Sequence, residues 1–210
     1  MNNETFSTPI LIIAWRRPKE TKKVLNSLRK IKPSKLFISC DGAREGNAEE
    51  YDKVKKTQEV LRNKINWECE VNWQISDINL GCKIGVSNAI NWFFNYVNEG
   101  IIIEDDIVAN KDFFEFCEKL LEKYRKDKRI WCISGSNNQA NIKRGEATYY
   151  FGRIPLIWGW ATWKDRWKNY DININKWPQA KSTKMLDNVF SDRLQKQYWE
   201  NIWDNFYSNG

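Results

Sequence analysis

The sequence predicts an α/β fold in which a mainly parallel, mixed sheet is flanked by helices. Short apolar runs alternate with longer segments of helical periodicity through residues 1–135, and parallel strands need such helical crossovers between them. Several of the apolar runs end abruptly in charged residues, as buried strands do where they leave a sheet. With 210 residues, the chain is long enough to bury a sizeable core.

Five strands are predicted in this region. Most are short apolar runs, but residues 67–75 alternate strictly, so that one face carries apolar side chains and the other polar ones. The five segments are PILIIA (9–14), KLFISCDG (35–42), WECEVNWQI (67–75), GIIIEDD (100–106) and RIWCIS (129–134).

Helices are predicted between the strands. The first begins at Pro18, because proline suits the first helical position, and Val24, Leu25 and Leu28 then recur at helical spacing. The others lie in AEEYDKVKKTQEVLRNKI (48–65), in the segment after the glycine-containing loop NLG (79–81) and in KDFFEFCEKLLEKYRK (111–126).

After Ser134 the chain changes character. Residues 135–150 are polar and loop-like, and the remainder is rich in tryptophan. Trp160, Trp163 and Trp167 are spaced i, i+3 and i+7, which predicts one face of a helix. That face would belong either to the core or to a surface that stacks on sugars. Gly159 would place Trp158 on a turn.

The composition excludes several classes of function. The chain has no histidine, which removes zinc sites with histidine ligands, Ser-His-Asp triads and histidine bases. The five scattered cysteines form no C-x-x-C pair and fit reduced thiols in a cytoplasmic protein. No apolar run approaches the ~18 residues of a membrane span, and the first residues do not resemble a secretory signal.

The chain is basic, with a net charge of +7. Its basic residues are interspersed with acids, which is typical of solvated helix faces. Anionic lipid or a phosphate-bearing ligand is the alternative. No sequence pattern of a nucleic-acid-binding module is present, so no nucleic-acid partner is expected.

Charged side chains follow the predicted strands at the points where they end. In open α/β sheets ligands bind beyond the carboxyl ends of the strands, so these groups are expected to meet at one edge. Together they would suit a ligand whose phosphates are held through a divalent metal. They are, in chain order, Arg16-Arg17, Asp41, Asp77 and the run Glu104-Asp105-Asp106.

The three consecutive acids are the most informative group. Like charges held side by side repel each other, and hard oxygen ligands at a rigid strand end are what Mg²⁺ or Mn²⁺ requires. We therefore expect a cation site here, the alternative being an ordinary acidic loop. The NLG loop would allow a ligand to approach the backbone, or would simply be a turn before a helix.

Taken together, these motifs resemble the GT-A nucleotide-diphospho-sugar glycosyltransferases, and most closely the N-acetylglucosaminyltransferase I-like enzymes. That likeness covers roughly residues 8–170 and departs from the family pattern at Lys111, where the pattern has proline. The motifs that carry it are PILIIAWRRP, LFISCDG, NLGCKIGVSNAI, GIIIEDDIVANKDFFEF and RIWCISGSN.

The resemblance implies a site and a reaction. Asp106 would bind Mn²⁺ or Mg²⁺, and a carboxylate would deprotonate the acceptor hydroxyl in an inverting transfer from a nucleotide-sugar donor. Asp204 is the candidate base, unless the base lies beyond Gly210; Asp165 and Asp192 resemble surface helix residues. The donor-binding residues it implies are Arg16, Asp41, Lys83, Glu104, Asp105, Trp158 and Gly159.

The same resemblance implies one catalytic domain over residues 1–210. Residues 1–135 would bind the nucleotide sugar, favouring a UDP-sugar, and residues 136–210 would form an acceptor-side half that is incomplete at its C-terminus. The transferred group would be hexosyl or N-acetylhexosaminyl.

Two other functions stay open at this point: another Mg²⁺-dependent nucleotide or phosphate enzyme, and a non-catalytic sugar-binding relative. The abundance of Asn, Lys and Ile indicates a bacterium with an AT-rich genome. We expect polysaccharide assembly in the cytoplasm, at the inner face of the membrane, with a glycan or lipid-linked acceptor.

Overall fold

The computed structural model of the chain describes residues 6–138, 142–143 and 145–209. These residues form two compact units. The first contains the described parts of 1–150 and 154–168, and the second contains residues 151–153 and those from 169 onward. The assignment of one catalytic domain to residues 1–210 stays a prediction.

The first unit is built on a six-stranded sheet with the order β3-β2-β1-β4-β6-β5. Strands β3, β2, β1 and β4 are parallel, whereas β6 is antiparallel to both β4 and β5. The predicted α/β fold with a mainly parallel, mixed sheet is thus confirmed. The strands are β1 (Ile10–Ala14), β2 (Lys35–Cys40), β3 (Glu70–Ile75), β4 (Glu99–Glu104), β5 (Ile133–Ser134) and β6 (Trp160–Trp163).

Five helices accompany the sheet. As predicted, the first helix begins at Pro18, and Asn47 and Asn110 cap two others by accepting hydrogen bonds from backbone amides three residues later. The helices are α1 (Pro18–Leu28), α2 (Ala48–Lys64), α3 (Gly81–Tyr96), α4 (Lys111–Tyr124) and the short α5 (Lys164–Trp167).

Both faces of the sheet are covered, which explains why its central strands are apolar throughout. On β1, Ile10 and Ile12 pack with residues of α1, α2 and α4, whereas Leu11 faces the opposite side. There it packs with α3 residues, including Ile90 and Phe93. Successive side chains of a strand point to opposite faces of the sheet, so they belong to two separate hydrophobic cores.

The helical interpretation is wrong for Trp160 and Trp163, whereas Trp167 ends the short helix α5. Residues 160–163 form strand β6, which supplies backbone partners to the exposed edge of β4. An odd spacing places two strand residues on opposite faces: Trp163 lies in the core with α4, and Trp160 packs against the core with α3. The fifth predicted strand is also shorter than expected, since β5 contains only Ile133 and Ser134.

The strand order places β1 and β4 at the point where the topology reverses. From β1 the chain proceeds outward to β2 and β3, then returns to lay β4 on the other side of β1. In open α/β sheets the crevice beyond the carboxyl ends at such a point is where ligands bind.

The second unit is helical, with α6 (Trp177–Ser182), a 3₁₀ helix (Met185–Asn188) and α7 (Arg193–Asn209). Aromatic pairs hold it together: the rings of Trp177 and Trp203 meet edge to face at 5.0 Å, and those of Phe190 and Trp199 are stacked at 6.3 Å.

None of the helices within the described ranges is both long enough and apolar enough to traverse a lipid bilayer.

Gly100 of β4 tests the packing between the sheet and α3. A methyl group at this position would overlap the Phe93 ring and lie 2.7 Å from the Pro9 carbonyl oxygen. We expect Gly100→Ala to lower the free energy of unfolding by about 1–3 kcal/mol, as overpacked cores do.

Urea unfolding of Gly100→Ala and of Gly85→Ala, side by side, measures this cost. A Cβ at Gly85 makes only an ordinary contact, 3.5 Å from the Asp41 carboxylate, so the helical glycine should tolerate alanine or gain stability. Equal midpoints for the two variants would contradict the packing described.

Candidate functional site

The buried carboxylate of Asp105 joins the ends of β4 and β1. Its Oδ2 accepts a hydrogen bond from the Trp15 backbone amide at 2.9 Å, and its Oδ1 accepts one from Arg17 Nη1 at 3.3 Å. Burial raises the pKa of this carboxyl group, while the Trp15 amide and the Arg17 charge oppose the rise. Asp105 therefore fixes the turn after β1 and has little surface to offer a ligand.

Asp106 is the acid that faces outward. Its side chain is 41% exposed, compared with 7% for Asp105, and Arg17 Nη1 contacts its Oδ2. The pKa of Arg17 is raised, although burial lowers it, because the two carboxylates stabilise the charged guanidinium. An accessible carboxylate and a guanidinium thus lie side by side where β4 and β1 end.

Glu104 completes the acidic run at the last position of β4 and is partly buried. Burial raises the pKa of its carboxyl group, and the neighbouring charges of Asp106 and Asp105 raise it further, with Arg17 opposing. This is the repulsion expected of three adjacent acids, with Arg17 as their one ion-pair partner among the residues that the structure describes.

Arg16 does not approach the acids. Its Nη1 donates a 2.5 Å hydrogen bond to Glu50, and its guanidinium lies 4.2 Å from the Trp15 ring centroid. Glu50 is buried and also accepts a hydrogen bond from the Arg44 backbone amide at 2.8 Å. The Arg44 guanidinium lies 5.1 Å from the same Trp15 ring. Two arginines are thereby held on one indole beside the ends of β1 and β2.

Asp41 organises the loop before α3. Its Oδ1 accepts hydrogen bonds from the amides of Gly42 (3.0 Å) and Leu80 (2.9 Å). Its Oδ2 accepts from Asn79 Nδ2 (3.0 Å) and from the Gly81 amide (3.1 Å). A carboxylate has about four acceptor sites, and protein donors take them all here. Reading a nucleobase would require one of these bonds to give way, and that role stays a prediction.

The same loop lies directly on Gly42. A Cβ on Gly42 would lie 2.5 Å from the Ile78 carbonyl carbon, so no other residue fits without moving the loop. The loop leads into the first turn of α3, which contains the partly buried Lys83. The structure thus brings Lys83 to the helix end that Asp41 anchors.

Gly159 lies beside the acidic loop, and Trp158 directly precedes it in the chain; their contact with a donor sugar stays a prediction. Gly159 has a positive φ of 71°, and a Cβ there would lie 3.2 Å from Ile107, the residue after Asp106. The Gly159 carbonyl accepts a 3.0 Å hydrogen bond from the Gly135 amide. The Trp158 side chain is 72% exposed, so its indole is open to a ligand.

Within the described ranges, no three or more acidic or thiol side chains converge into a group that could hold a metal ion. Asp105 is engaged with the β1 turn, which leaves Asp106 as the accessible carboxylate. Mg²⁺ commonly takes only one or two protein carboxylates and completes its shell with water and substrate phosphate. The donor set therefore fits an ion bound jointly with a phosphate ligand.

Asp204 lies in α7 of the second unit. It accepts hydrogen bonds from Trp177 Nε1 at 3.0 Å and Lys181 Nζ at 2.6 Å. The Lys181 and then the Trp177 hydrogen bonds lower the pKa of its carboxyl group, which weakens it as a base. Of the alternatives, Asp165 pairs with Lys128 and Arg166, and Asp192 caps α7 through the Gln195 amide.

An open cavity of about 640 Å³ lies at the opposite edge of the sheet, where β4 begins and β6 ends. Among its charged groups, Arg125 donates to Glu99 through two nitrogens, at 2.7 and 2.8 Å, and Lys128 and Arg166 both pair with Asp165. Arg166 donates to the carbonyls of Tyr124, Arg125 and Asp127, which closes the end of α4. These contacts give most of the charged lining a structural role, and the candidate residues at the strand ends lie at the other edge of the sheet.

The sequence was compared with models of known protein families. The model of the GNT-I family matches residues 1–188. The chain belongs to the GNT-I family. It is accordingly a glycosyltransferase, and the resemblance to N-acetylglucosaminyltransferase I-like enzymes is confirmed. The match contains every candidate donor-site residue and ends before Asp204.

Among solved structures, this GNT-I family member is similar to 4-diphosphocytidyl-2C-methyl-D-erythritol synthase from Anaerococcus prevotii DSM 20548. The two share 11% sequence identity with a TM-score of 0.45, over 92% of this chain and 84% of that one. A similarity of this size supports no conclusion about function.

The sequence places Arg16 and Arg17 together after the first strand, and the resemblance implies Arg16 as the donor-binding residue, but it is Arg17 that contacts the acids. Sequence reasoning missed two other side chains, those of Trp15 and Glu50. Trp15 forms a platform for Arg16 and Arg44. Glu50 pairs with Arg16, 34 residues away, and accepts a hydrogen bond from the Arg44 amide. The pattern N-x-x-E, Asn47 to Glu50, marks a helix N-terminus, but it does not reveal the partner of Glu50.

Asp41 allows a direct test of the loop before α3. Asp41→Ala removes the acceptor of the Leu80 and Gly81 amides. We expect a loss of about 1–3 kcal/mol of stability, the usual cost of hydrogen bonds to a charged group. Amide hydrogen exchange should accelerate at Leu80 and Gly81 in particular.

Asp77→Ala is the matched control, because Asp77 is exposed at the end of β3, in the same loop. If the two variants have the same unfolding free energy and the same exchange rates, Asp41 does not anchor the loop.

Proposed function

We propose that the protein is a divalent-metal-dependent, inverting glycosyltransferase that uses a nucleotide-diphosphate sugar, with a UDP-sugar favoured. It would transfer a hexosyl or N-acetylhexosaminyl group to a hydroxyl of a glycan or lipid-linked acceptor. One observation carries this proposal: an exposed Asp106 and the Arg17 guanidinium lie together where β4 and β1 end, in a member of the GNT-I family. That is the ligand-binding crevice of an open α/β sheet.

The donor diphosphate would bind between these two groups. Arg17 offers a planar guanidinium that suits phosphate oxygens, and Lys83 in the first turn of α3 adds a second positive charge. The nucleoside would extend toward the ends of β1 and β2. There Trp15, with Arg16 and Arg44 on its ring, provides a flat and cationic surface.

Asp106 would hold Mn²⁺ or Mg²⁺, with diphosphate oxygens and water as the other ligands. When bound, the ion neutralises the negative charge that develops on the departing nucleoside diphosphate. Glu104 would face the water shell of the ion and the sugar or ribose hydroxyls. Asp105 would keep the turns after β1 and β4 in position, a role that its hydrogen bonds with the Trp15 amide and Arg17 support.

The transferred sugar would lie against Trp158 and Gly159, next to Ile107. The acceptor oxygen attacks the anomeric carbon from the side opposite the diphosphate, so a new C–O bond forms as the bond to the diphosphate oxygen breaks. A carboxylate base takes the hydroxyl proton. Asp204 is our candidate for that base, and it would have to release Lys181 to act.

We place this reaction in the cytoplasm of a bacterium, at the inner face of the membrane, in the assembly of surface polysaccharide. Five free cysteines support a reducing compartment. The net charge of +7 supports attraction to anionic lipid headgroups, near which a lipid-linked acceptor would reside.

Donor hydrolysis tests the proposal without knowledge of the acceptor. With a panel of nucleotide sugars and Mn²⁺, we expect slow release of nucleoside diphosphate from one donor class, and a chelator should abolish it. Asp106→Asn should lower the rate by about 100-fold or more, since ion-assisted leaving-group stabilisation supplies several kcal/mol.

Asp112→Asn is the matched control, because it makes the same chemical change at an exposed position six residues later, at the start of α4. Turnover that ignores the chelator and the Asp106 change would refute metal dependence. Donor binding without any turnover, with or without acceptors, would instead indicate a non-catalytic sugar-binding protein.

A further inference from the structure

We propose that Arg17 is an internal counter-cation that occupies Asp106 in the free protein and must be released before a divalent metal binds there. The donor diphosphate would accept the released guanidinium, so that donor and metal bind cooperatively. This inference rests on the proposed function, since it assigns the metal to Asp106. It adds a residue that sets the order and strength of ligand binding.

The contacts of Arg17 are those of a cation shared by two acids. Its Nη1 lies 3.3 Å from Asp105 Oδ1 and also contacts Asp106 Oδ2. Arg16, the neighbouring arginine, is neutralised separately by Glu50. In the part of the chain that the structure describes, Arg17 is the one basic side chain with an ion pair to Asp105 or Asp106.

The Arg17 side chain can leave without disturbing the fold. Its backbone is fixed at the start of α1, where its carbonyl accepts hydrogen bonds from the amide and the hydroxyl of Thr21, at 2.9 and 2.7 Å. Its side chain is 51% exposed. The Arg17 side chain can therefore move while its backbone stays fixed.

The two carboxylates differ in what they lose when Arg17 leaves. Asp105 keeps the Trp15 amide as a donor, so its buried charge stays partly compensated. Asp106 is 41% exposed and can be solvated or can bind another cation. A new cation would therefore replace Arg17 at Asp106, while Asp105 keeps the β1 turn in place.

Competition of this kind has a defined consequence for affinity. A divalent ion alone must break the Arg17–Asp106 pair and leave a positive guanidinium close by. With a nucleoside diphosphate present, the phosphate oxygens attract the guanidinium and also coordinate the ion. Each ligand then favours the other, and by linkage the coupling must be the same whichever binds first.

The test uses Mn²⁺ alone, with free Mn²⁺ measured by electron paramagnetic resonance. We expect Arg17→Gln to bind Mn²⁺ at least about fivefold more tightly than wild type, the ratio that corresponds to a partly exposed ion pair of about 1 kcal/mol. Arg17→Lys, which retains the positive charge, should stay close to wild type.

Lys19→Gln is the matched control for net charge. It removes one positive charge two residues away in α1, at an exposed position. The effect of Arg17→Gln is therefore read against Lys19→Gln. If the two variants bind Mn²⁺ equally, a general charge effect explains the result and the proposal is wrong.

A second measurement tests the coupling. Uridine diphosphate should tighten Mn²⁺ binding by a larger factor in wild type than in Arg17→Gln, because the variant has no guanidinium to release. An equal factor in both proteins would overturn the coupling. Should Arg17→Gln fail to fold, as judged by circular dichroism, Arg17→Met removes the same charge and keeps the aliphatic stem.

The Mn²⁺ titrations also distinguish a failure of the Arg17 counter-cation role from a failure of the proposed glycosyltransferase function. If Mn²⁺ binds wild type in an Asp106-dependent manner and Arg17→Gln matches Lys19→Gln, the counter-cation role fails and the glycosyltransferase site stands. If no variant binds Mn²⁺, with or without uridine diphosphate, both fail together.

Discussion

The hydrogen bond from the Trp15 amide to the buried Asp105 carboxylate is the interaction on which the site depends. It joins the turn after β1 to the turn after β4, 90 residues apart in the sequence, at 2.9 Å. These two strands are neighbours at the point where the sheet order reverses. A buried carboxylate needs such donors, because its charge is costly to bury without them. Because the β1 turn donates a hydrogen bond to the Asp105 carboxylate, it fixes the place where Arg17 and Asp106 meet.

Three adjacent acids consequently have three different environments. Asp105 is buried and hydrogen-bonded to the β1 turn, Asp106 is accessible, and Glu104 is partly buried at the last residue of the strand. A similar division holds for the two arginines that follow β1. Arg16 is neutralised by a buried Glu50 and lies on Trp15, whereas Arg17 is left to balance the acids. The turn thus separates a cation on the Trp15 ring from a cation beside the acids. In the proposed function, the first would face the nucleoside and the second the diphosphate.

The strands β1 to β4 and the helices between them could be predicted from the sequence, because local periodicity and strand-end charge encode them. Strand β6 could not, since the spacing of Trp160 and Trp163 also fits a helix and only the open edge of β4 decides between the two. For the candidate site, the sequence predicted which edge of the sheet carries the charged residues, but not which side chains pair there. The choice between Arg17 and Arg16, and the saturation of Asp41 by the loop before α3, depend on contacts 34 to 90 residues apart that no local pattern records.

The proposed function requires Asp106, at the end of β4, to hold a divalent ion together with a nucleoside diphosphate. An anomalous-difference map from crystals grown with Mn²⁺ and uridine diphosphate would locate that ion. A single Mn²⁺ peak should lie within bonding distance of an Asp106 carboxylate oxygen and of diphosphate oxygens, with Arg17 turned toward the diphosphate. A peak bound elsewhere on the chain, or diphosphate bound without Mn²⁺ at Asp106, would contradict this account.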